Sequence, residues 1–258
     1  MVHNGSIGVP TKVRGDRLEA CVALFLALFL GHLLGDFVFQ PGRLVVAKRH
    51  GYRGMLLHTG IITTCTAFMV LGQISRTWPA VVAVALAHLG IEHLSVRARR
   101  IRQASGLALF LLDQALHIVS LAIIAAVLNG GGEPSLVLWA SSIALMATLC
   151  GIVTVAFLGS ILAFEVRVAT MGDSAPPEPI LKLDLLRIYG FAERAGALLV
   201  GLVSPSPALG LLLFVPRAAY ALALRGERRT RQLTEAAVGL TLCCIAWALI
   251  TVLKGTGS

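Results

Sequence analysis

The sequence predicts an all-α, polytopic integral membrane protein of about eight transmembrane helices, with a polar site in the N-terminal four-helix unit. Three observations lead there. The 258 residues are 57% hydrophobic and only 14% charged, and the mean hydropathy is +0.83; a water-soluble domain of this size needs more charge to cover its surface. Apolar runs of about 20 residues recur, the length that crosses a bilayer core of roughly 30 Å at 1.5 Å per residue. Lysines and arginines gather in blocks between alternate runs, as the positive-inside rule asks of cytoplasmic loops.

A polar tail, 1–17, precedes the first run, 18–40. No small-x-small cleavage site ends that run cleanly, so it reads as a retained helix and not a removed signal peptide. Further runs follow at 55–74, 79–96, 105–128, 136–164, 192–204, 207–224 and 235–253. The fifth, without a formal charge, is long for one crossing and short for two. Charge placement selects one. With eight crossings, Arg43, Lys48, Arg49 and Arg53, then Arg97, Arg99, Arg100 and Arg102, then Arg167, Lys182, Arg187 and Arg194, then Arg225, Arg228, Arg229 and Arg231 share one side. The other side receives only Lys12, Arg14, Arg17, Arg76 and Lys254. The fifth helix is therefore expected to be single, long, and tilted or broken, with both termini outside the cytoplasm of a multi-pass protein of the inner (cytoplasmic) membrane.

The stretches "NGGGEPS" (129–135) and "SPSP" (204–207) read as turns without Lys or Arg. "MGDSAPPEPILKLD" (171–184) reads as a Pro-rich linker dividing a five-span unit, 18–170, from a three-span unit, 185–258. No internal repeat or heptad is evident. Small residues such as Gly151 and Gly159 allow helices to approach closely.

The net charge of +9 is that of cytoplasmic arginines facing anionic headgroups. Membrane lipids are the implied partners. No nucleic acid is implied, for the aromatic interleaving of single-strand binders is missing. Cys21, Cys65, Cys150, Cys243 and Cys244 lie within the runs without Cys-x-x-Cys spacing and read as small packing residues. No Gly-x-Ser-x-Gly elbow, phosphate-binding glycine loop, His-Glu-x-x-His or dinucleotide fingerprint occurs.

Ionisable residues inside spans are costly and tend to face a bundle interior. The first run carries His32 and Asp36, extended by Gln40. The second begins with His58. The third ends with His88 and Glu92, and the fourth holds Asp113 and His117 beside Gln114. Four residues turn a helix by about 400°, so each spaced pair shares a face. The alternating direction of the runs puts four imidazoles and three carboxylates at one depth, in the cytoplasmic half. His93 points about 140° away from His88 and is left out. Imidazole with carboxylate is the ligand set of a divalent zinc, iron or manganese ion, and four-helix bundles build such sites from facing helices. Metal ligands are expected at His32, Asp36, His58, His88, Asp113 and His117, with Glu92 as ligand or general base. Gln40 and Gln114 are expected beside them. The same residues also suit a proton or cation path.

A second set lies in the C-terminal unit: Glu193 and Arg194 at the start of the sixth run, Arg217 about two turns into the seventh, and Glu235 opening the eighth. It reads as inter-helix ion pairing, or as an anion pocket in which Arg217, Arg194 and Lys182 orient a phosphate or carboxylate.

These motifs resemble a known family. "GHLLGDFVFQ", "LLHTG", "AHLGIEHL" and "FLLDQALHI" look like the bacterial membrane family catalogued as domain of unknown function 3307, and "IYGFAERAGALLVGL", "PALGLLLFVPRAAYALA" and "TEAAVGLTL" look like its C-terminal spans. The resemblance covers most of 22–253. This chain departs from the pattern at Glu92, which stands where Asp is usual, at Ile188 in place of Gly, and around Pro216 and Arg217 in place of a Lys-Ser pair. The resemblance implies a polytopic membrane fold and brings no activity. Three functions stay open: a metal-dependent hydrolase acting on a lipid-linked or amphipathic substrate, a proton- or cation-coupled transporter, and a non-catalytic membrane partner.

Overall fold

The computed structural model describes residues 11–101, 106–128, 142–171 and 185–255. The first ten residues of the polar tail, Arg102, the 129–135 turn and the linker from 172 to 184, with Lys182, lie outside the described residues.

Helix α1 (Thr11–Leu33) continues into a π-helical turn, Leu34–Val38. The run stops before Pro41, which cannot donate a helical N–H and, at φ −68° and ψ 151°, turns the chain into the short helix α2 (Gly42–His50). Gly51, fully extended, separates α2 from α3 (Tyr52–Met69). Helices α4 (Ile74–Ile101) and α5 (Gly106–Leu128) follow. The expected fifth run is one broken helix: α6 (Ile143–Val153) and α7 (Gly159–Met171) are joined without interruption by a second π-helical turn, Thr154–Leu158.

Helix α8 (Leu185–Val203) begins seven residues ahead of the expected sixth run, because Leu185, Leu186 and Ile188 prolong its apolar side. Glu193 and Arg194 therefore sit in its third turn and not at its start. The seventh run divides into α9 (Ala208–Leu211), a 3₁₀ turn (Leu212–Phe214) and α10 (Val215–Ala223), with Pro216 in the first turn of α10, where a missing N–H is tolerated. Gly226, at φ +59°, makes the sharp turn into α11 (Gly226–Gly255), a conformation side chains rarely adopt.

Among the described residues, five helical stretches are long and apolar enough to cross a membrane: Arg17–Val38, Leu71–Arg99, Gly106–Leu128, Ile143–Met171 and Gly226–Gly255. That fits an all-α, multi-pass membrane protein. Large side chains such as Leu86, Leu112, Ile123 and Val252 are exposed on the outer faces of these helices, a surface that suits lipid and would aggregate in water.

Helices α1, α3, α4 and α5 close into a ring, each packed on its two neighbours, and α1 also packs on α6. Helix α1 is the most enclosed, with 61% of its apolar window buried against 17% in α5. Two glycines set its distance from α3. A Cβ on Gly31 would stand 2.5 Å from Thr66 Cα, and one on Gly35 would stand 2.7 Å from Ile62 Cα. The Gly31-x3-Gly35 spacing thus brings two backbones together, as small residues do in membranes. The units on either side of the linker share a continuous core that runs from Leu28 and Leu121 through Cys150 and Leu198 to Phe214 and Ala246. Cys150 and Cys243 are buried in it, and all five cysteines are free thiols.

Candidate metal centre

Three side-chain layers, each one helical turn from the next, build the site. The middle layer is His32, His58, His88 and His117, one from each helix of the ring, all at most 3% exposed. The layer below holds Leu28, Ile62, Val84 and Leu121, each four residues from its histidine and equally buried. The layer above holds Asp36 in the π-helical turn that continues α1, Glu92 on α4 and Asp113 on α5. On α3 the corresponding residue is Gly54. A Cβ there would be 2.4 Å from the carbonyl carbon of Ala47, so its absence lets α2 lie against α3. Leu44 is the buried apolar residue of α2, and Lys48, one turn on along the same face, reaches into the place α3 leaves open.

The rings stand close together. Centroids are 4.6 Å apart for His32–His117 and for His88–His117, 5.0 Å for His58–His88 and 5.3 Å for His32–His88. One ligand atom each from His32, His88 and His117 lie within 4.8 Å of one another, and the same holds for His58, His88 and Glu92. Both groups are therefore spaced to hold a metal ion. His88 belongs to both.

Hydrogen bonding divides the rings sharply. His58 Nε2 is 3.2 Å from Asp36 Oδ1, and Gln40 touches the same ring at 3.2 Å. His117 Nδ1 donates to the Asp113 carbonyl at 2.9 Å and lies 3.6 Å from Asp113 Oδ2. That bond fixes the proton on Nδ1 and leaves Nε2 bare, the usual way a histidine is prepared as a ligand. Nε2 of His117 and both ring nitrogens of His32 and His88 make no hydrogen bond to any described residue. Burying a polar group without a partner costs about 1–3 kcal/mol. A neutral imidazole carries one N–H and one lone pair, so His32, His88 and His117 offer one electron-pair donor each, a set of three without an acceptor among the described residues.

The layer above is charged. Glu92 Oε2 accepts from Lys48 Nζ at 3.1 Å, and Lys48 Nζ is 3.5 Å from His58 Nε2. With its amide nitrogen turned to the Asp36 carbonyl, 3.0 Å away, Gln40 accepts from Lys48 at 2.8 Å. Asp113 accepts from Ser95 at 2.5 Å and from Gln114 at 3.1 Å. Asp36, Glu92 and Asp113 give this layer three carboxylates, of which Glu92 is paired with Lys48, and a divalent cation would offset the negative charge of the others. These groups border a cavity of about 320 Å³ that Arg99 and Glu165 also line. Lys48 and Ser95 were not expected from the sequence. Lys48 counted there only as one of a basic block, and its one signal is the four-residue spacing from Leu44. His93 stacks on Tyr52 at 6.0 Å, outside the cluster.

The C-terminal set is a separate network of paired arginines, in which Arg194 Nε, Arg217 Nη2 and Glu193 Oε1 have no hydrogen-bond partner among the described residues. Arg194, with no exposed surface, donates to Glu235 at 2.7 Å, to the Ala156 carbonyl at 3.1 Å and to Ser160. Arg217 donates to Glu193 at 2.6 Å and to Gln232 at 2.7 Å, and lies over the Tyr189 ring. The Ala156 carbonyl is available because it sits in the second π-helical turn, where the helical ladder is interrupted.

Residues 24–147, which contain the whole histidine cluster, match the model of a family described as a protein of unknown function, DUF3307. The C-terminal motifs lie beyond the matched stretch. No curated protein and no solved structure matches the chain.

Proposed function

From the geometry of the site, which lies within the stretch 24–147 that matches the DUF3307 family of unknown function, we propose a membrane-embedded, metal-dependent hydrolase acting on an amphipathic or lipid-linked substrate at the cytoplasmic leaflet. The observation that carries this reading is the convergence of His32, His88 and His117, buried, on different helices, with their facing nitrogens unpartnered. Such a set suits zinc, iron or manganese. His32, His88 and His117 would hold the ion, with His58 and Glu92 completing a second position around His88. A bound ion with an open coordination place lowers the pKa of water and supplies a nucleophile at neutral pH.

The chain's own groups have separate tasks in this scheme. Asp36 and Asp113 orient His58 and His117. Glu92, within 4.8 Å of His58 and His88, serves as the proton acceptor, and Lys48 orients it and offers a cation to an anionic substrate group. Arg99 stands at the cavity wall for the same purpose. Arg194 and Arg217, paired with Glu235, Glu193 and Gln232, fasten α8, α10 and α11 to α6–α7 in this reading.

Eight crossings accommodate these helices: α1, α3, α4, α5, α6–α7, α8, α9–α10 and α11, with α2 lying beside the bundle. This arrangement leaves the arginine-rich ends, and the cavity, on the cytoplasmic side. A proton- or cation-coupled transporter would use the same histidines, but Leu28, Ile62, Val84 and Leu121 close the ring directly beneath them. The hydrolase needs access from one side only, and the layering favours it.

Metal analysis of the detergent-purified chain tests the proposal. About one equivalent or more of zinc, iron or manganese is expected, falling to background in His88→Ala. Wild type without metal sinks the hydrolase. Proton flux in liposomes that disappears in His88→Ala establishes transport instead.

A further inference from the structure

A second cavity, of about 430 Å³, adjoins the polar one, and Phe37, Gln40 and Ile161 line both. Its walls are of a different kind. Five of the chain's ten phenylalanines meet there, Phe37, Phe39, Phe157, Phe164 and Phe191. Phe157 and Phe191 pack ring to ring at 4.6 Å, which holds that wall rigid. Gln40, Ser160 and Arg187 are the polar residues of its lining, and the Ser160 hydroxyl is already taken by Arg194. The cavity follows from the two π-helical turns. Leu34–Val38 carries Phe37, Thr154–Leu158 carries Phe157, and the turns pack against each other. Each widened turn shifts the side-chain register, and the cavity lies between the segment 37–42 on one side and α7 and α8 on the other. Phe39, more than half exposed, stands at the mouth.

We propose that this aromatic cavity is the binding site for the hydrocarbon chain of an amphiphile whose polar head enters the chamber bordered by Asp36, Lys48 and Glu92. The inference rests on the hydrolase reading for the fate of the head, but not for the occupancy of the cavity. Its size lies in the range of small-molecule sites, and an apolar compartment joined to one with a few convergent polar groups is the usual form of a site that binds one end by burial and orients the other by charge. The shared wall of Phe37, Gln40 and Ile161 is where head and chain would meet.

The test uses the full chain in detergent, with metal content measured on the same samples. The probe is a C16 alkyl phosphate carrying a mid-chain diazirine. Photolabelling is expected on 37–39, 157–164 and Phe191, and saturable by unlabelled hexadecyl phosphate, which ordinary lipid-facing labelling is not. Ile161→Trp and Val38→Trp fill the cavity. Each is expected to weaken saturable labelling about ten-fold, the loss when roughly two methylenes are denied burial, while metal content stays at the wild-type level. Labelling of these residues in wild type that excess ligand does not displace overturns the proposal, as does saturable labelling unchanged in both variants. Metal without saturable labelling rejects the cavity and spares the hydrolase. Saturable labelling without metal does the reverse.

Discussion

Gly35→Ala asks whether backbone contact between α1 and α3 sets the geometry of the cluster. The added Cβ would lie 2.7 Å from Ile62 Cα, whereas ordinary contact begins at 3.4 Å. A backbone atom cannot rotate aside, so the helices must part by the difference, about 0.7 Å. The neighbouring Asp36 Oδ1–His58 Nε2 contact, now 3.2 Å, would then open to about 3.9 Å, beyond hydrogen bonding. Overpacking of this kind costs about 1–3 kcal/mol, and a lost hydrogen bond to a charged group about 1.5–3 kcal/mol. A total near 3 kcal/mol is expected. Thermal unfolding in detergent, read with metal content, is the assay. Gly60→Ala, on α3 with nothing within 4 Å of its Cβ, is the control and should gain up to about 1 kcal/mol from helix propensity. If Gly35→Ala melts with wild type and keeps its metal, the close approach does not position the site and the reasoning fails.

His58→Ala should leave the His32, His88 and His117 group intact and retain metal, while His88→Ala removes a member of both groups and should retain none; elemental analysis of the two purified variants compares them directly. Arg217→Met strands Glu193 and Gln232 in the interior and should cost about 3–5 kcal/mol, as breaking a buried pair does, with metal content unchanged in the folded fraction; a loss of metal would tie the C-terminal network to the site. Lys48→Met should let a second ion bind where the wild type takes one, visible as a second phase in zinc titration calorimetry of the metal-stripped chain; a single phase in both would contradict the competition argued below.

The helices and the histidine layer were legible because both obey a local period. An apolar run of membrane length and a polar residue every fourth position need no tertiary information, and alternating run direction brought His32, His58, His88 and His117 to one depth. What the sequence hid depends on contacts between backbones. Gly54 looks like any small residue until α2 folds onto it, and only that fold turns Lys48 from a loop cation into a group at the site. The π-helical turn at Leu34–Val38 likewise leaves no mark in the pattern, yet it carries Asp36 towards His58 as well as His32. The pairing of Arg194 with Glu235 and of Arg217 with Glu193 joins segments up to 41 residues apart, and spacing alone does not say which carboxylate meets which guanidinium.

Lys48 also separates the two ligand groups. Its ammonium touches Glu92 and His58, two of the three members of the second group, so that position is already neutralised by a charge from the chain itself. The first group has no such partner: the nearest carboxylate to His32 is Asp36, at 3.9 Å from Nε2, and His88 has no hydrogen-bond partner among the described residues. An ion therefore gains most among His32, His88 and His117. Filling the second position requires Lys48 to withdraw, because two cations sharing Glu92 at contact distance repel by several kcal/mol even at an effective dielectric of about 20. Lys48 is carried by α2, whose close packing on α3 depends on the missing Cβ of Gly54. The number of ions the cluster accepts is thus coupled to the seating of one short helix at the mouth of the cavity, and a substrate anion that draws Lys48 towards itself would free Glu92 at the moment a proton acceptor is needed.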